Sequence, residues 1–325
     1  MKKVSVSVPA TTANLGAGFD CLGLALNLRS TVEIWEIERG LEIEAEGESE
    51  GELPLDATNL MVRAAERVFK KVGRRPVGLH VRAVNGIPLS SGMGSSAAAI
   101  IGGLVAANAL VDGRLSRLEI LKMACQMEGH ADNVAATLFG GLVLVSSTAE
   151  ALVMRHLGVP PLKVVIALPA VRLSTAEARA ALPPQVPLKN AVFNIGRALL
   201  TAQALARGDF ELLHQAVDDR LHQPYRQPLI PGCVAAEAEA RGAGAVAVTL
   251  SGAGPSLAAF APSAGRSQAI ADAMKSAFEA SGVACRTFIL SVDSLGAKVK
   301  WRLVGSDRPV WAKNLLAGRA QRLET

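Results

Sequence analysis

The segment PLSSGMGSSAA at residues 88–98 limits the possible folds more than any other part of the sequence. It contains four serines and two glycines and runs directly into an uncharged apolar stretch, Ala97 to Val111. That stretch is shorter than the roughly 18–20 apolar residues of a membrane-spanning helix, so it predicts a helix buried in a globular core. The loop before it offers backbone N–H groups and hydroxyls at a helix N-terminus, which favour an anion. The sequence therefore predicts a phosphate-binding loop packed against a buried helix.

Loops of this composition also cap helices that bind no ligand, so the segment alone leaves that alternative open. It lacks the lysine of the nucleotide-binding pattern G-x-x-x-x-G-K-[ST] and is therefore not a loop of that class. Gly92 and Gly94 permit positive backbone φ angles or a close approach of the backbone. Ser95 and Ser96 would begin the helix, where a hydroxyl can reach a magnesium ion that bridges nucleotide phosphates.

Strand-like and helical patterns alternate along the chain and predict an α+β protein. Apolar and polar residues alternate over Val4–Val8, whereas Asn59–Val72 has apolar residues at helical spacing. The pattern restarts around Val159, and 325 residues suffice for two domains. We predict an N-terminal domain with the phosphate loop over residues 1–158, a C-terminal domain over 159–296 and a basic tail of unknown structure over 297–325.

Further elements follow from the same periodicities. Ser116 followed by Glu119 is the pattern of a helix capping box. Strands are predicted over Thr31–Ile37, Leu41–Ala45, Val77–Val84, Leu142–Val145, Val164–Leu168, Ala245–Leu250, Ser256–Phe260 and Cys285–Ser291. Helices are predicted over Ala97–Val111, Lys189–Ala206, Phe210–Val217, Cys233–Arg241 and Ser263–Ala280.

The net charge of +5 lies entirely in the predicted tail. From Ala297 onward there are seven basic and two acidic residues, and the rest of the chain carries equal numbers of each. With one tyrosine and few other aromatic residues, the chain lacks a stacking surface for single-stranded nucleic acid. We therefore expect neither a nucleic-acid partner nor a membrane.

The N-terminal segment MKKVSVSVPATTANLG alternates apolar and polar residues, which is a strand pattern and not the apolar core of a signal peptide. We therefore expect a cytoplasmic protein. The four cysteines lie far apart without a C-x-x-C pair, so they indicate neither a zinc site nor a disulfide framework.

Two further glycine-rich stretches flank the predicted core. In PATTANLGAGFDCLG, Asn14 and Asp20 are polar groups within a turn, where they could hold a small polar ligand or simply stabilise the turn. LSGAGPS, residues 250–256, lies between two predicted strands and by itself predicts a hairpin.

Taken together and in this order, the three stretches resemble the GHMP small-molecule kinases. The motifs are P-x-T-x-x-N-L-G-x-G-F-D, P-x-x-x-G-x-G-S-S-A and S-G-x-G-P-S, joined by EGHADN at 128–133, STAEAR at 174–179 and QPYR at 223–226. The resemblance covers about residues 3 to 295. It implies a two-domain α+β fold, with an N-terminal domain similar to ribosomal protein S5 and a ferredoxin-like C-terminal domain.

The resemblance also implies an ATP-dependent kinase. ATP would lie in a cleft between the domains, with its phosphates on the loop. Asn59, at the start of a predicted helix, is either a further nucleotide-binding residue or simply the cap of that helix. Magnesium would be held by Glu128 and one loop serine, which we take as Ser96. The residues expected to bind ATP are Pro88, Leu89, Ser90, Ser91, Gly92, Met93, Gly94, Ser95, Ser96, Ala97 and Asn59.

Within that family, the motifs most resemble those of the members that phosphorylate L-homoserine, and this resemblance implies L-homoserine as the acceptor and a role in threonine biosynthesis. Asp20 would bind its ammonium group, and Arg179 and Arg226 would bind its carboxylate, because guanidinium groups pair with carboxylates at two points. Asn14, His130 and Asp132 would complete the substrate site.

Phosphoryl transfer needs positioning and neutralisation of charge more than covalent chemistry. The expected catalytic residues are Asn133, Thr175 and Ser96. Relatives with an aspartate base carry it in this region, but counting back from Gly140 places Asn133, not Asp132, at that position. We therefore predict transfer without a dedicated general base.

Two rival functions remain at this point. One is another GHMP enzyme, such as a mevalonate or sugar kinase, although a sugar has no carboxylate for two arginines. The other is a nucleotide sensor without catalytic activity, which would be expected to lose the magnesium ligand or the substrate groups. Members of the family are usually homodimers, so a homodimer is expected here.

Overall fold

The structure is a computed structural model that describes residues 2–48, 50–148, 151–303 and 310–311. The strands are β1 (Lys2–Ala13), β2 (Leu22–Ile37), β3 (Gly40–Gly47), β4 (Gly78–Asn85), β5 (Leu142–Ser147), β6 (Leu152–Leu157), β7 (Lys163–Pro169), β8 (Ala247–Leu250), β9 (Leu257–Ala261), β10 (Cys285–Ser291), β11 (Lys298–Leu303) and β12 (Val310–Trp311). The helices are α1 (Leu60–Val72), α2 (Ser95–Leu110), α3 (Arg117–Glu128), α4 (Asp132–Phe139), α5 (Thr175–Ala180), α6 (Leu188–Arg207), α7 (Phe210–Ala216), α8 (Gln223–Arg226), α9 (Cys233–Gly242) and α10 (Ala264–Ala280). The predicted α+β class is confirmed.

The first sheet has the order β12-β11-β1-β2-β4-β3, and β5 pairs with both β2 and β6. Helix α2 packs against β1, β2, α1, α3 and α4, so almost every residue from Ala97 to Leu110 is buried. This explains why the helix is apolar on all sides. The predicted buried helix is therefore confirmed, and its N-terminus carries the glycine- and serine-rich loop.

The second sheet has the order β10-β7-β9-β8, with antiparallel pairing throughout. Successive side chains of β7 face opposite cores: Val164 and Ile166 join the core shared with the first sheet, and Val165 and Ala167 join the core under α9 and α10. Because both faces of β7 are covered, its sequence is a continuous apolar run rather than an alternating one.

The chain returns to the first sheet after β10. Strand β11 pairs antiparallel with β1, and Ala297 and Val299 are buried in its core. Residues 298–303, which belong to the predicted basic tail, therefore extend the first sheet. The rest of that tail, residues 304–309 and 312–325, lies outside the described residues.

Local signals placed several element ends correctly. The Ser116 hydroxyl accepts a hydrogen bond from the Glu119 N–H (3.3 Å), and the Glu119 carboxylate accepts one from the Ser116 N–H (2.8 Å), so the predicted capping box is confirmed. All four cysteines are free thiols, as expected. In the described part of the chain, no helix is long and apolar enough to cross a membrane.

Candidate active site

A cleft of about 440 Å³, a size typical of small-ligand sites, is lined by parts of strands β2 and β4, by residues of helices α1, α2, α4 and α5, and by loops that include Asp20, Ser90 and Gly252. It brings together most of the residues selected from the sequence. Those that line it are Asn14, Asp20, Asn59, Leu89, Ser90, Ser91, Gly92, Gly94, Ser95, Ser96, Glu128, His130, Asp132, Asn133, Thr175, Arg179 and Arg226.

Pro88, Met93 and Ala97 were expected to bind ATP but do not line the cleft. Their side chains are buried, and Met93 belongs to the hydrophobic core. Some residues of the loop are buried and anchor it to the core, and others face the cleft. Ser91 shows the same division, because its hydroxyl donates to the Pro88 carbonyl (2.7 Å) and accepts from the Met93 N–H (3.2 Å).

The loop ends at the N-terminus of α2 in a form suited to phosphate. Gly94 is the N-cap residue with φ +72°, and it has no side chain that could cap the first turn. The N–H groups of that turn are therefore available for an anion in the cleft, where the helix dipole also favours negative charge.

Gly92 and Gly94 are required by protein contacts as well as by φ. A Cβ atom on Gly92 would lie 2.3 Å from the Ser251 carbonyl oxygen, and one on Gly94 would lie 2.0 Å from Thr11 Oγ1. The sequence predicted a positive φ or a close approach of the backbone at these two glycines; both have a positive φ, and neither leaves room for a Cβ atom. In the structure, the loop containing Ser251 and strand β1 already occupy that space.

The two predicted magnesium ligands are adjacent. Ser96 lies on the first turn of α2, and Glu128 is the last residue of α3. The Ser96 hydroxyl donates a hydrogen bond of 2.5 Å to Glu128 Oε1. Burial raises the pKa of Glu128, and the Ser96 hydrogen bond offsets part of that shift. A hydroxyl and a carboxylate beside a phosphate loop are hard oxygen ligands, so these residues fit magnesium bound together with nucleotide phosphates.

His130, Asp132 and Asn133 form a hydrogen-bonded group at the start of α4. His130 Nδ1 lies 2.7 Å from Asp132 Oδ1, and that oxygen also accepts the Asn133 backbone N–H at 2.8 Å. Burial opposes protonation of His130, but the hydrogen bond and charge of Asp132 outweigh it, and the net shift of the His130 pKa is upward. The Asp132 carboxylate is thus engaged by protein groups and is almost completely buried.

Asp20 and Arg179 were expected to bind opposite ends of the acceptor, but in this structure they bind each other. The two guanidinium nitrogens of Arg179 donate to the two carboxylate oxygens of Asp20, both at 3.0 Å. This pair joins the loop after β1 to helix α5. The Asp20 hydrogen bond raises the pKa of Arg179 against the effect of burial.

Arg226, the second predicted carboxylate ligand, is only 1 % exposed. Its Nε donates to the Ala178 carbonyl (3.1 Å), and its guanidinium carbon lies 5.1 Å from the centre of the Phe19 ring. Its Nη1 lies 3.3 Å from His222 Nδ1. The protein therefore fixes the direction of this guanidinium group at the edge of the cleft.

His222 is a functional candidate that sequence reasoning missed. His222 Nε2 lies 2.8 Å from the Gly16 carbonyl, which can only accept, so Nε2 carries the proton and Nδ1 is free to accept from Arg226. Burial lowers the pKa of His222 and favours this neutral form. The signal in the sequence was the spacing of His222 one helical turn before Arg226.

Asn14 and Asn59 have mainly architectural contacts. The Asn14 amide donates to the Gly252 carbonyl (2.8 Å) and accepts from the Asp20 N–H (2.9 Å), which connects two of the glycine-rich stretches. Asn59 is the N-cap of α1 and accepts from the Met61 N–H (2.9 Å). Thr175 begins α5 and is exposed at the cleft.

Comparisons with known proteins agree with this geometry. Residues 59–141 match the family model of the GHMP kinases N terminal domain, and residues 201–280 match that of the GHMP kinases C terminal domain. Homoserine kinase of Moorella thermoacetica is 47% identical over 295 residues, covering 90% of this chain and 99% of the relative. Homoserine kinase of Prochlorococcus marinus is 44% identical over 301 residues, covering 91% and 95%.

A solved structure gives the same result. The crystal structure of homoserine kinase from Cytophaga hutchinsonii superposes with a TM-score of 0.84 at 34% identity, covering 91% of this chain and 97% of that one. Identity at this level over nearly the full length of both chains extends well beyond the glycine-rich motifs. The chain therefore belongs to the GHMP kinases and, within them, to the homoserine kinase family.

Proposed function

We propose that this enzyme transfers the γ-phosphoryl group of ATP to the side-chain hydroxyl of L-homoserine, giving O-phospho-L-homoserine for threonine biosynthesis. One observation carries the proposal: a phosphate loop, a carboxylate–hydroxyl pair, an acid and two arginines line a single cleft. The names of the relatives support the same acceptor.

The triphosphate of ATP would lie at the N-terminus of α2, on the N–H groups that follow Gly94. Ser96 and Glu128 would hold magnesium beside it. When bound, magnesium neutralises charge on the phosphates and fixes their orientation. The adenine ring of ATP would occupy the apolar part of the cleft near Leu53, Val32 and Met61.

The acceptor would bind at the Asp20–Arg179 ion pair. Homoserine carries one ammonium and one carboxylate, so it can replace Arg179 at Asp20 and supply Arg179 with a new anion. Arg226, held by His222, would contribute a second guanidinium to that carboxylate. The exchange keeps every buried or half-buried charge paired, which is the condition for binding a zwitterion tightly.

In the transfer step, the homoserine hydroxyl oxygen forms a bond to the γ-phosphorus atom while the bond to the β–γ bridging oxygen breaks. ADP leaves with that electron pair, and the hydroxyl proton passes to a non-bridging phosphoryl oxygen or to solvent. Asn133 and Thr175 would orient the reacting groups. The proposed transfer uses no dedicated base, and the hydrogen bonds that engage the Asp132 carboxylate support this.

Among the alternatives, another GHMP acceptor fits less well because mevalonate and sugars lack the ammonium group that Asp20 would bind. A sensor without catalysis fits less well because Glu128, Asp20 and both arginines face the cleft together. The expected homodimer and cytoplasmic location belong to this proposal, and sedimentation of the purified chain tests the first of them.

A coupled assay of ADP release tests the proposed function. It compares L-homoserine, L-serine, mevalonate and galactose as acceptors with magnesium ATP. Turnover is expected with L-homoserine. Turnover with mevalonate or galactose instead would still support the phosphate-binding role of the loop but would contradict the assignment of the acceptor site. ATP binding without turnover of any acceptor would favour a nucleotide sensor.

A further inference from the structure

Thr11 is completely buried in β1 and contacts the catalytic region without lining the cleft. Its hydroxyl donates to Asn133 Oδ1 at 2.7 Å. The residue lies inside the first glycine-rich motif, but neither the motif nor the proposed function gives it a role.

The direction of the Asn133 amide follows from its two neighbours. Its nitrogen lies 3.5 Å from Asp132 Oδ1, which is already an acceptor of the Asn133 backbone N–H. A flipped amide would place its oxygen against this accepting oxygen. The amide oxygen therefore faces Thr11, and the nitrogen is left as a hydrogen-bond donor beside the cleft.

The same threonine is in contact with the phosphate loop. Its backbone N–H donates to the Met93 carbonyl at 3.0 Å, and its hydroxyl oxygen occupies the space that a Cβ atom on Gly94 would fill. Movement of Thr11 would therefore displace both the loop and Asn133. Thr11 thus holds the loop through its backbone N–H and Asn133 through its hydroxyl, so a substitution that removes only the hydroxyl acts on Asn133.

We propose that Thr11 is a positioning residue that holds Asn133 as a hydrogen-bond donor to the acceptor oxygen or to a transferring phosphoryl oxygen. This inference rests on the proposed function. A neutral amide is too weak a base to take the hydroxyl proton, and with its oxygen hydrogen-bonded to Thr11, Asn133 presents its NH₂ group to the cleft. A donor in this place would instead stabilise negative charge that develops on oxygen during transfer.

The test is steady-state kinetics of Thr11→Val, which replaces the hydroxyl by a methyl group of similar size. A kcat reduction of about 10- to 100-fold is expected, with both KM values near those of the wild type, because misplacement of a catalytic group by about 1 Å has effects of this size. Thr11→Ser, which keeps the hydroxyl, should restore most of the activity. Thr11→Ala removes the hydroxyl without adding bulk and serves if the valine variant does not fold.

Thr137→Val is the matched control. Thr137 lies one turn after Asn133 on α4, is equally buried, and has a hydroxyl without a hydrogen-bond partner among the described residues. Its replacement should leave kcat unchanged. A loss of activity in Thr137→Val as large as that in Thr11→Val would overturn the proposal, because the effect would then be general to buried threonines.

A double-mutant cycle separates positioning from general damage. On an Asn133→Ala background, Thr11→Val should cause no further loss of kcat, since its effect acts through Asn133. Additive losses, or full activity of Thr11→Val, would overturn the proposal. Wild-type turnover of homoserine in the same assay reports on the proposed function separately.

A readout independent of the acceptor is the ¹⁵N–¹H signal of the Asn133 side-chain amide, assigned by its absence in Asn133→Ala. We expect a distinct pair of resonances in the wild type that shifts or broadens in Thr11→Val and is retained in Thr11→Ser. An unchanged pair in Thr11→Val would contradict the proposal even if another acceptor were the substrate.

Discussion

The Arg179 guanidinium and the Asp20 carboxylate form a two-point ion pair at the cleft, with both nitrogen–oxygen distances at 3.0 Å. They belong to different parts of the fold, the loop after β1 and helix α5. Their pairing satisfies two groups that would otherwise be unpaired in the absence of an acceptor. A ligand that enters between them has to replace both charges, which a zwitterionic amino acid can do.

Arg226→Ala should weaken use of homoserine more than use of ATP. Removing one partner of a buried, hydrogen-bonded charge pair costs about 2–5 kcal/mol, so kcat/KM for homoserine should fall about 30- to 5,000-fold. Steady-state kinetics with each substrate varied in turn measures this. Arg220→Ala, at an exposed arginine nearby, is the control, and equal losses for ATP and homoserine would argue against a carboxylate clamp.

Glu128→Gln should raise the magnesium concentration needed for half-maximal activity, because the amide keeps the shape of the side chain but loses its charge. A magnesium titration of the rate at fixed ATP measures the shift, with Glu239→Gln on the exposed face of α9 as the control. If both variants respond to magnesium as the wild type does, Glu128 is not a ligand.

Although Glu128→Gln should weaken the use of magnesium, it should increase the thermal stability of the metal-free protein. Burial raises the pKa of Glu128 in the folded chain, so the protonated carboxyl is favoured there. Its contribution to stability is complete below the pKa of the unfolded chain and is lost as the pH rises through the raised value. Without magnesium, Glu128→Gln should therefore have a higher Tm than the wild type at pH 8, and this difference should disappear in acid.

Thermal unfolding in EDTA across this pH range provides the measurement. A Glu128→Gln variant that is less stable than the wild type at pH 8 would mean that the hydrogen bond from Ser96 outweighs the cost of burying the charge.

Gly94→Ala should destabilise the chain more than Gly73→Ala. Both glycines have a positive φ, +72° and +68°, which costs alanine about 1–2 kcal/mol. A Cβ atom added at Gly94 would also collide with Thr11 Oγ1, whereas a Cβ atom added at Gly73 would have no other atom within 4 Å. Chemical denaturation measures both free energies of unfolding, and similar values would show that the loop can move away from β1.

The sequence predicted the core elements well because their signals are local. Helical spacing predicted α1 and α10 to within a residue, and the end residues predicted for β10 are those observed. Helices α4, α5 and α8 and strands β6, β11 and β12 were missed, and α4 and β11 show the two main reasons. The first is short and lies in an apolar region without a capping signal, and the second gains its pairing from β1, nearly 300 residues earlier in the chain.

The candidate site was predicted as a set of residues but not as a set of contacts. Resemblance to a family selected Asp20, Arg179 and Arg226, and the structure brings them to one cleft. Their hydrogen bonds could not be predicted, because they depend on how loops distant in sequence pack together. Thr11 and His222 were missed for the same reason. Thr11 donates to Asn133, and His222 bonds to the carbonyl of Gly16, and both partners are distant in sequence.

The most direct measurement of the central claim compares L-homoserine with two analogues that each lack one charge. 4-Hydroxybutyrate lacks the ammonium group, and 3-amino-1-propanol lacks the carboxylate, while both keep the reacting hydroxyl. Each would leave Asp20 or the arginines without a partner, so kcat/KM should fall at least about 100-fold for each. An analogue used nearly as well as L-homoserine would contradict recognition of a zwitterion by Asp20, Arg179 and Arg226.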